Sequence, residues 1–154
     1  MQTFLPYASY SQSAACLDRQ RLGKQRVEAY QILNTLLGKS DGWKNHPAVV
    51  MWKGYEDSLR CYTIDMCNEW IKRGYKDTIK DRVQNMLTGF YPGEIYIMSS
   101  CGSRIPKFIG NERFHSSHRS NLLRKKSDWY SKFGWTEPDN LPYYWPSKEF
   151  NNIV

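Results

Sequence analysis

Glu28 is the carboxylate of this sequence whose neighbours suggest chemistry. It ends the stretch Arg21-Leu-Gly-Lys-Gln-Arg-Val-Glu28, in which three other residues are basic. A carboxylate among such groups is anionic near neutral pH, so it can stabilise a developing cation, such as an oxocarbenium sugar, or move a proton. The alternative is a helical salt bridge between Lys24 and Glu28, worth roughly a few tenths of a kcal/mol, and composition alone favours it.

Basic residues are concentrated in two stretches. From Asp18 to Glu28 there are four basic residues and two acids, and from Arg104 to Lys126 there are seven and one. Arginine predominates and polar side chains lie between the charges, which suits phosphate contacts; a solvated helix face is the alternative for any one lysine. The candidate DNA-binding residues from these stretches are Arg19, Arg21, Lys24, His115, His118, Arg119, Asn121, Arg124, Lys125 and Lys126.

An aromatic motif, Trp129-Tyr-Ser-Lys-Phe-Gly-Trp135, follows the second basic stretch. Its rings can form a surface on which bases stack, or a hydrophobic plug for the C-terminal part of the chain, and the two roles are compatible. Trp129, Tyr130 and Lys132 are therefore added to the candidate DNA-binding residues.

The whole composition favours a polyanionic partner. The 154 residues include 22 Lys and Arg against 15 Asp and Glu, a net charge of +7, and 15% are aromatic. Nucleic acid is the first expectation and an anionic membrane surface the second.

No apolar run approaches the roughly 20 residues that span a bilayer, and the first residues do not form a secretory signal. We expect a cytoplasmic protein with one domain over residues 1–154.

Metal and cofactor sites are not predicted. The four cysteines (Cys16, Cys61, Cys67 and Cys101) contain no CxxC pair, so we expect reduced thiols. His115 and His118 are the only close histidine pair, and no cysteine lies near them in the sequence, so zinc is not expected.

Hydrophobic spacing predicts a mainly α, compact, single-domain fold with long irregular loops. Gly23 within the first helix can mark a kink, a later helix start, or a close approach by another chain. Glu94–Met98, after a turn at Phe90–Gly93, can be a short strand or a buried loop. The predicted helices are Ser11–Leu37, Pro47 to the break at Gly74, Ser117–Lys126 and a short turn at Asp128–Phe133 that Gly134 ends, and Thr136–Val154 is predicted to be irregular.

Three stretches together resemble one protein family. They are Arg21–Glu28; His46-Pro47 through the long helix to Lys72-Arg-Gly-Tyr-Lys-Asp-Thr78; and His118–Lys126 followed by Trp129-Tyr-Ser-Lys-Phe-Gly134. In this order they resemble the pyrimidine-dimer DNA glycosylase/endonuclease V family, small helical base-excision enzymes. The start Met-Gln-Thr-Phe-Leu-Pro is similar to that of a bacterial and viral branch of the family.

The resemblance implies a bifunctional glycosylase and AP lyase without a cofactor. In that family the α-amine of the N-terminus attacks C1′ of the damaged nucleotide and forms a Schiff base, and β-elimination cuts the strand. An α-amine suits this role because its pKa in peptides is about 8, well below that of lysine. The implied catalytic residues are Glu28, Arg26 and the amine of Met1 or Gln2.

The implied partner is double-stranded DNA that contains a damaged or modified pyrimidine. The enzyme would kink the duplex and flip a nucleotide, acting as a monomer without contact to a membrane, encoded by a bacterium or a virus such as a phage. The pyrimidine dimer is the family's substrate. Alternatives are a glycosylase for hypermodified, phage-type pyrimidines, a non-catalytic DNA-binding module, or a metal-dependent endonuclease.

Two features depart from the family pattern. Arginine and glutamate are adjacent in the family, whereas Val27 lies between Arg26 and Glu28 here. The reactive amine in the family belongs to a small residue exposed by removal of methionine. Gln2 is large, so Met1 is expected to stay and to supply the amine, with Gln2 as the alternative.

Overall fold

The computed structural model describes residues 1–86 and 105–146, and the regular structure in these ranges is helical. Two long helices, α2 (Arg19–Leu36) and α4 (Glu56–Lys72), pack against each other and supply much of the core. The prediction of a mainly helical fold is confirmed. The other elements are α1 (Tyr10–Cys16), α3 (Pro47–Val50), α5 (Ile79–Gln84), α6 (Glu112–Lys125), α7 (Ser127–Tyr130) and a 3-10 turn at Ser131–Phe133.

The helix predicted over Ser11–Leu37 is interrupted at Leu17 and Asp18, so that prediction is wrong at this point. Both residues are extended, with ψ angles of 140° and 160°. The Tyr130 hydroxyl accepts the Asp18 N–H and donates to the Asp18 carboxylate. Burial opposes ionisation of Asp18, but hydrogen bonds from Tyr130 and Arg21 hold its pKa below the usual value. The break depends on a residue 112 positions away, which local periodicity cannot reveal.

Gly23 marks a close approach within the molecule. A Cβ atom on this residue would lie 3.1 Å from two carbon atoms of the Trp70 ring, on α4. Of the three predicted explanations, close approach is the observed one, although the approaching side chain belongs to the same chain. Because Gly23 has no side chain, the Trp70 ring can lie directly against α2, and the two helices pack closely there.

The second predicted helix, from Pro47 to Gly74, is also divided. Pro47 begins the short helix α3, as its fixed φ favours, and α4 begins only at Glu56. Gly54 lies between them with a φ of +87°, which a helical residue cannot adopt. The predicted end of the helix is confirmed, with Lys72 in the last turn of α4.

The third predicted helix begins earlier than expected, at Glu112, because the Asn111 side chain accepts the Phe114 N–H and caps it. The turn ended by Gly134 is confirmed, with a φ of +73°. Residues 136–145 are irregular, as predicted. The expectations for Phe90–Gly93, Glu94–Met98 and residues 147–154 lie outside the described residues.

The cysteines do not all match the prediction of reduced thiols. Cys16 and Cys67 are free and buried, whereas Cys61 is disulfide-bonded, so the prediction is wrong for Cys61. Sequence spacing does not reveal which cysteines a fold brings together. In the described part of the chain, no helix is both long and apolar enough to cross a bilayer.

Candidate active site

The N-terminal segment, residues 2–6, is buried and is held by side chains rather than by secondary structure. Gln25 of α2 accepts the Phe4 N–H at 2.8 Å and donates to the Gln2 carbonyl at 2.9 Å. Tyr62 of α4 donates to the Phe4 carbonyl, with an oxygen–oxygen distance of 2.9 Å. These bonds fix the first residues beside α2.

Two histidines of α6 bind the backbone N–H and carbonyl of Leu5, in the same segment. The Leu5 N–H donates to Nδ1 of His118 at 2.8 Å, so the proton of that ring is on Nε2. His115 has the opposite tautomer, because its Nε2 accepts the Gly110 N–H and its Nδ1 donates to the Leu5 carbonyl. Burial lowers the pKa of His115. Burial, with smaller electrostatic contributions from the His115 ring and Arg119, lowers the pKa of His118 to about 3. Both rings are therefore neutral supports of the segment.

Arg119, also on α6, completes this support. Its guanidinium donates to the Pro6 carbonyl at 2.7 Å and forms ion pairs with Glu112 and Glu137. Burial opposes its charge, but the two carboxylates keep its pKa raised. The buried, fully engaged arginine ties the N-terminal segment to α6 and to the irregular segment after α7.

Glu28 lies beside the beginning of the chain. The amide nitrogen of Gln2 is 3.3 Å from Oε2 of Glu28, and Nε2 of Gln25 is also 3.3 Å from this oxygen. Glu28 and Met1 line the same cavity, which has a volume of about 260 Å³. The arrangement brings a carboxylate and a chain terminus together in a space that a small group can enter.

Basic side chains surround this carboxylate. Arg21, Lys24 and Lys125 line the cavity, the first two from α2 and the third from the last turn of α6. Burial and the charges of Arg21, Arg124 and Lys24 lower the pKa of Lys125. These basic side chains repel one another, and an anionic ligand such as a phosphate backbone would relieve the repulsion.

The structure separates the other predicted catalytic residue from the cavity. Arg26 points to the α4–α5 side of α2, where it forms an ion pair with Asp77 and lies 4.3 Å from the centre of the Trp70 ring. It is not among the residues that line the cavity. Because Arg26 and Glu28 are two positions apart on a helix, their side chains point in different directions.

The predicted DNA-binding residues fall into two groups. Arg19, Lys24, Arg124, Lys125 and Lys132 are exposed, and Arg21, Lys126 and Trp129 are partly exposed. The buried group is His115, His118, Arg119, Asn121 and Tyr130, whose hydrogen bonds are made within the molecule.

Several residues of the cavity were not predicted. Gln25 lies one helical turn before Glu28, and this i, i+3 spacing was a usable signal. Phe4, Gln20 and Tyr143 also line the cavity, and Tyr143 comes from the irregular segment, where no sequence pattern pointed to it. Burial raises the pKa of Tyr143 to about 12, so its phenol is neutral in this wall of the cavity.

Within residues 1–86 and 105–146 no group of three His, Cys, Asp or Glu side chains could hold a metal ion.

Comparison with known proteins supports one assignment. The family model for pyrimidine dimer DNA glycosylase matches residues 1–83, which include the N-terminal segment, α2 with Glu28, and α4. Searches of curated proteins and of solved structures found no match. The matched part exceeds half of the chain, and the chain belongs to the pyrimidine dimer DNA glycosylase family.

Proposed function

We propose that this protein excises a damaged or modified pyrimidine, with the pyrimidine dimer as the first candidate, and then cuts the strand as an AP lyase. The amide nitrogen of Gln2, 3.3 Å from Oε2 of Glu28 in a basic cavity, is the observation that carries the proposal. The neutral α-amine at the chain terminus attacks C1′, the base leaves, and the resulting Schiff base undergoes β-elimination.

We propose Met1 as the source of the amine. Met1 lines the cavity beside Glu28, which supports a retained methionine as the source of the amine. Removal of Met1 would instead make the Gln2 nitrogen the terminus, within 3.3 Å of Glu28. Either terminus is compatible with the cavity, and the large Gln2 side chain favours retention of Met1.

Glu28 in this proposal stabilises the positive charge that develops at the sugar and assists proton transfer. Arg21, Lys24 and Lys125 bind the phosphates on either side of the reacting nucleotide. Arg26 has a structural role in the proposal, because its guanidinium is engaged by Asp77 and Trp70.

Borohydride trapping tests the proposal on three duplexes that contain a thymine dimer, an abasic site or no damage. Reduction of a Schiff base leaves a covalent adduct, and mass spectrometry of the terminal peptide identifies the amine. We expect adducts with the dimer and abasic duplexes, located on Met1. An adduct at the abasic site alone would move the search to other pyrimidines, including hypermodified ones. Absence of any adduct would contradict the amine mechanism and leave a non-catalytic DNA-binding protein.

Glu28→Gln is the matching substitution. We expect the single-turnover cleavage rate to fall by about a hundredfold or more, while the dissociation constant for damaged DNA changes only a few-fold, since the amide keeps the shape but loses the charge.

Glu69→Gln is the control for that variant. Glu69 is also a helical carboxylate, and it pairs with Arg73 at 3.0 Å outside the cavity. If Glu28 were only a helical salt-bridge partner, the two variants would behave alike. Equal cleavage rates in both would contradict the role of Glu28.

A further inference from the structure

Trp43 combines exposure with a strained backbone. Its side chain is 65% exposed, and its φ of +63° lies in the left-handed region that bulky residues rarely adopt. An exposed indole brings little burial energy to compensate for such strain. Strain that folding does not explain is frequently found at residues selected for binding.

The surroundings of Trp43 suit a nucleic acid. Lys39 and Lys44 are exposed on the same loop, and the single acid beside them is Asp41. An open depression is lined by Trp43, Lys44, Asn45 and His46 together with Asp41. A flat ring flanked by lysines and an amide matches surfaces on which bases stack beside phosphates.

A series of ring contacts connects Trp43 to the cavity of Glu28. The Trp43 and His46 ring centres are 5.9 Å apart, those of His46 and Trp145 are 5.8 Å apart, and those of Trp145 and Tyr143 are 5.6 Å apart. Tyr143 itself lines the cavity. Three ring contacts therefore link the loop of Trp43 to a wall of the cavity.

The electrostatics of His46 support this proximity. Burial lowers the pKa of His46 first, and the positive terminal amine lowers it further, whereas Glu28 acts in the opposite direction. The terminal amine and Glu28 are therefore both close enough to affect this ring. His46 also accepts the Ala48 N–H through Nδ1 at 3.0 Å, which fixes the ring between Trp43 and Trp145.

We infer that Trp43 is a positioning residue that stacks on a base of the DNA next to the excised nucleotide. The inference rests on the proposed function, since opening the duplex at the reacting nucleotide is what uncovers the face of a neighbouring base. The ring contacts that run from Trp43 through His46 and Trp145 to Tyr143 then keep the stacked base at a fixed distance from the cavity.

Trp43→Gly tests this inference because it removes the ring and the strain together. Glycine adopts a positive φ without cost, so we expect the thermal midpoint to stay within a few degrees of the wild-type value or to rise. The dissociation constant for a duplex with a non-cleavable abasic analogue should increase about tenfold or more. In the bound complex, a 2-aminopurine next to the analogue should be less stacked, and therefore more fluorescent, with the variant than with the wild-type protein.

Two controls complete the experiment. Trp43→Phe keeps a ring and should recover most of the affinity, and Ile71→Ala removes an exposed apolar side chain from α4 and should leave affinity unchanged. Unchanged affinity and 2-aminopurine signal in Trp43→Gly would overturn the inference. Because the duplex is not cleaved, weakened binding by Trp43→Gly would uphold stacking even if borohydride trapping contradicted the amine mechanism.

Discussion

The basic stretches of α2 and α6 are similar in sequence but serve different purposes. On α2, Lys24 and Arg21 face the cavity beside Glu28. On α6, His118 and Arg119 are buried and hold the N-terminal segment, while only the last turn of the helix reaches the cavity through Lys125. One stretch thus faces the cavity, and the other mainly binds the chain's own backbone. Local charge density does not distinguish these uses.

Arg119→Met should show the largest effect on stability. The substitution leaves the carboxylate of Glu137, which is 13% exposed, without its partner and releases the Pro6 carbonyl. Loss of one member of a buried ion pair costs about 3 kcal/mol or more, measured as the free energy of unfolding in urea. A variant as stable as the wild type would contradict the supporting role of the buried half of α6.

Lowering the pH should also destabilise the α6 support. His118 has a folded pKa of about 3, and an unfolded histidine has one near 6.5, so the unfolded state binds more protons between these values. The contribution of neutral His118 to the free energy of unfolding is therefore fully present above pH 6.5. It declines as the pH falls toward 3, by about 1 to 2 kcal/mol between pH 6.5 and 5.

His118→Asn provides the comparison for this pH dependence. Its amide oxygen can replace Nδ1 as the acceptor of the Leu5 N–H but does not titrate in this range. Urea unfolding at pH 7 and pH 5 should show a smaller difference for the variant than for the wild type. His115 remains and contributes in the same direction, so the difference should shrink without disappearing.

Lys125→Ala should have the smallest effect, and on binding rather than on stability. We expect the affinity for DNA to fall about three- to tenfold and the slope of log affinity against log salt to decrease by about 0.9. The free energy of unfolding should not change, because the side chain is exposed. Lys72→Ala, on the exposed end of α4, is the control and should change neither the affinity for DNA nor the salt slope. An equal salt slope for both variants would remove Lys125 from the DNA surface.

Local sequence signals predicted much of the fold. Apolar spacing identified α2 and α4, and Pro47 and Gly134 marked the ends of elements as their backbone preferences require. The signals failed where a distant contact or a single φ angle decided the outcome. Leu17 and Asp18 interrupt a helix because Tyr130 binds Asp18, and Gly54 separates α3 from α4 by its positive φ.

The site was predicted in part. Glu28, Met1 and Lys24 were predicted from basic neighbours and family resemblance, and the structure brings all three to one cavity. Arg26 was chosen as the best match to the arginine that precedes the glutamate in the family, but helical geometry directs its side chain to Asp77 instead. Tyr143 and Trp43 carried no sequence signal, because their positions depend on how the irregular segments fold against the cavity.

The sequence by itself determined that the protein is helical, basic and related to pyrimidine dimer glycosylases, since periodicity, charge and motif order are properties of the linear chain. Only the tertiary structure decided which charged side chains line the cavity and which are buried. Burial and hydrogen bonding depend on contacts between distant residues, such as the Leu5 N–H and His118, which are 113 positions apart. The same contacts bring the first residues of the chain to Glu28, which no local pattern could establish.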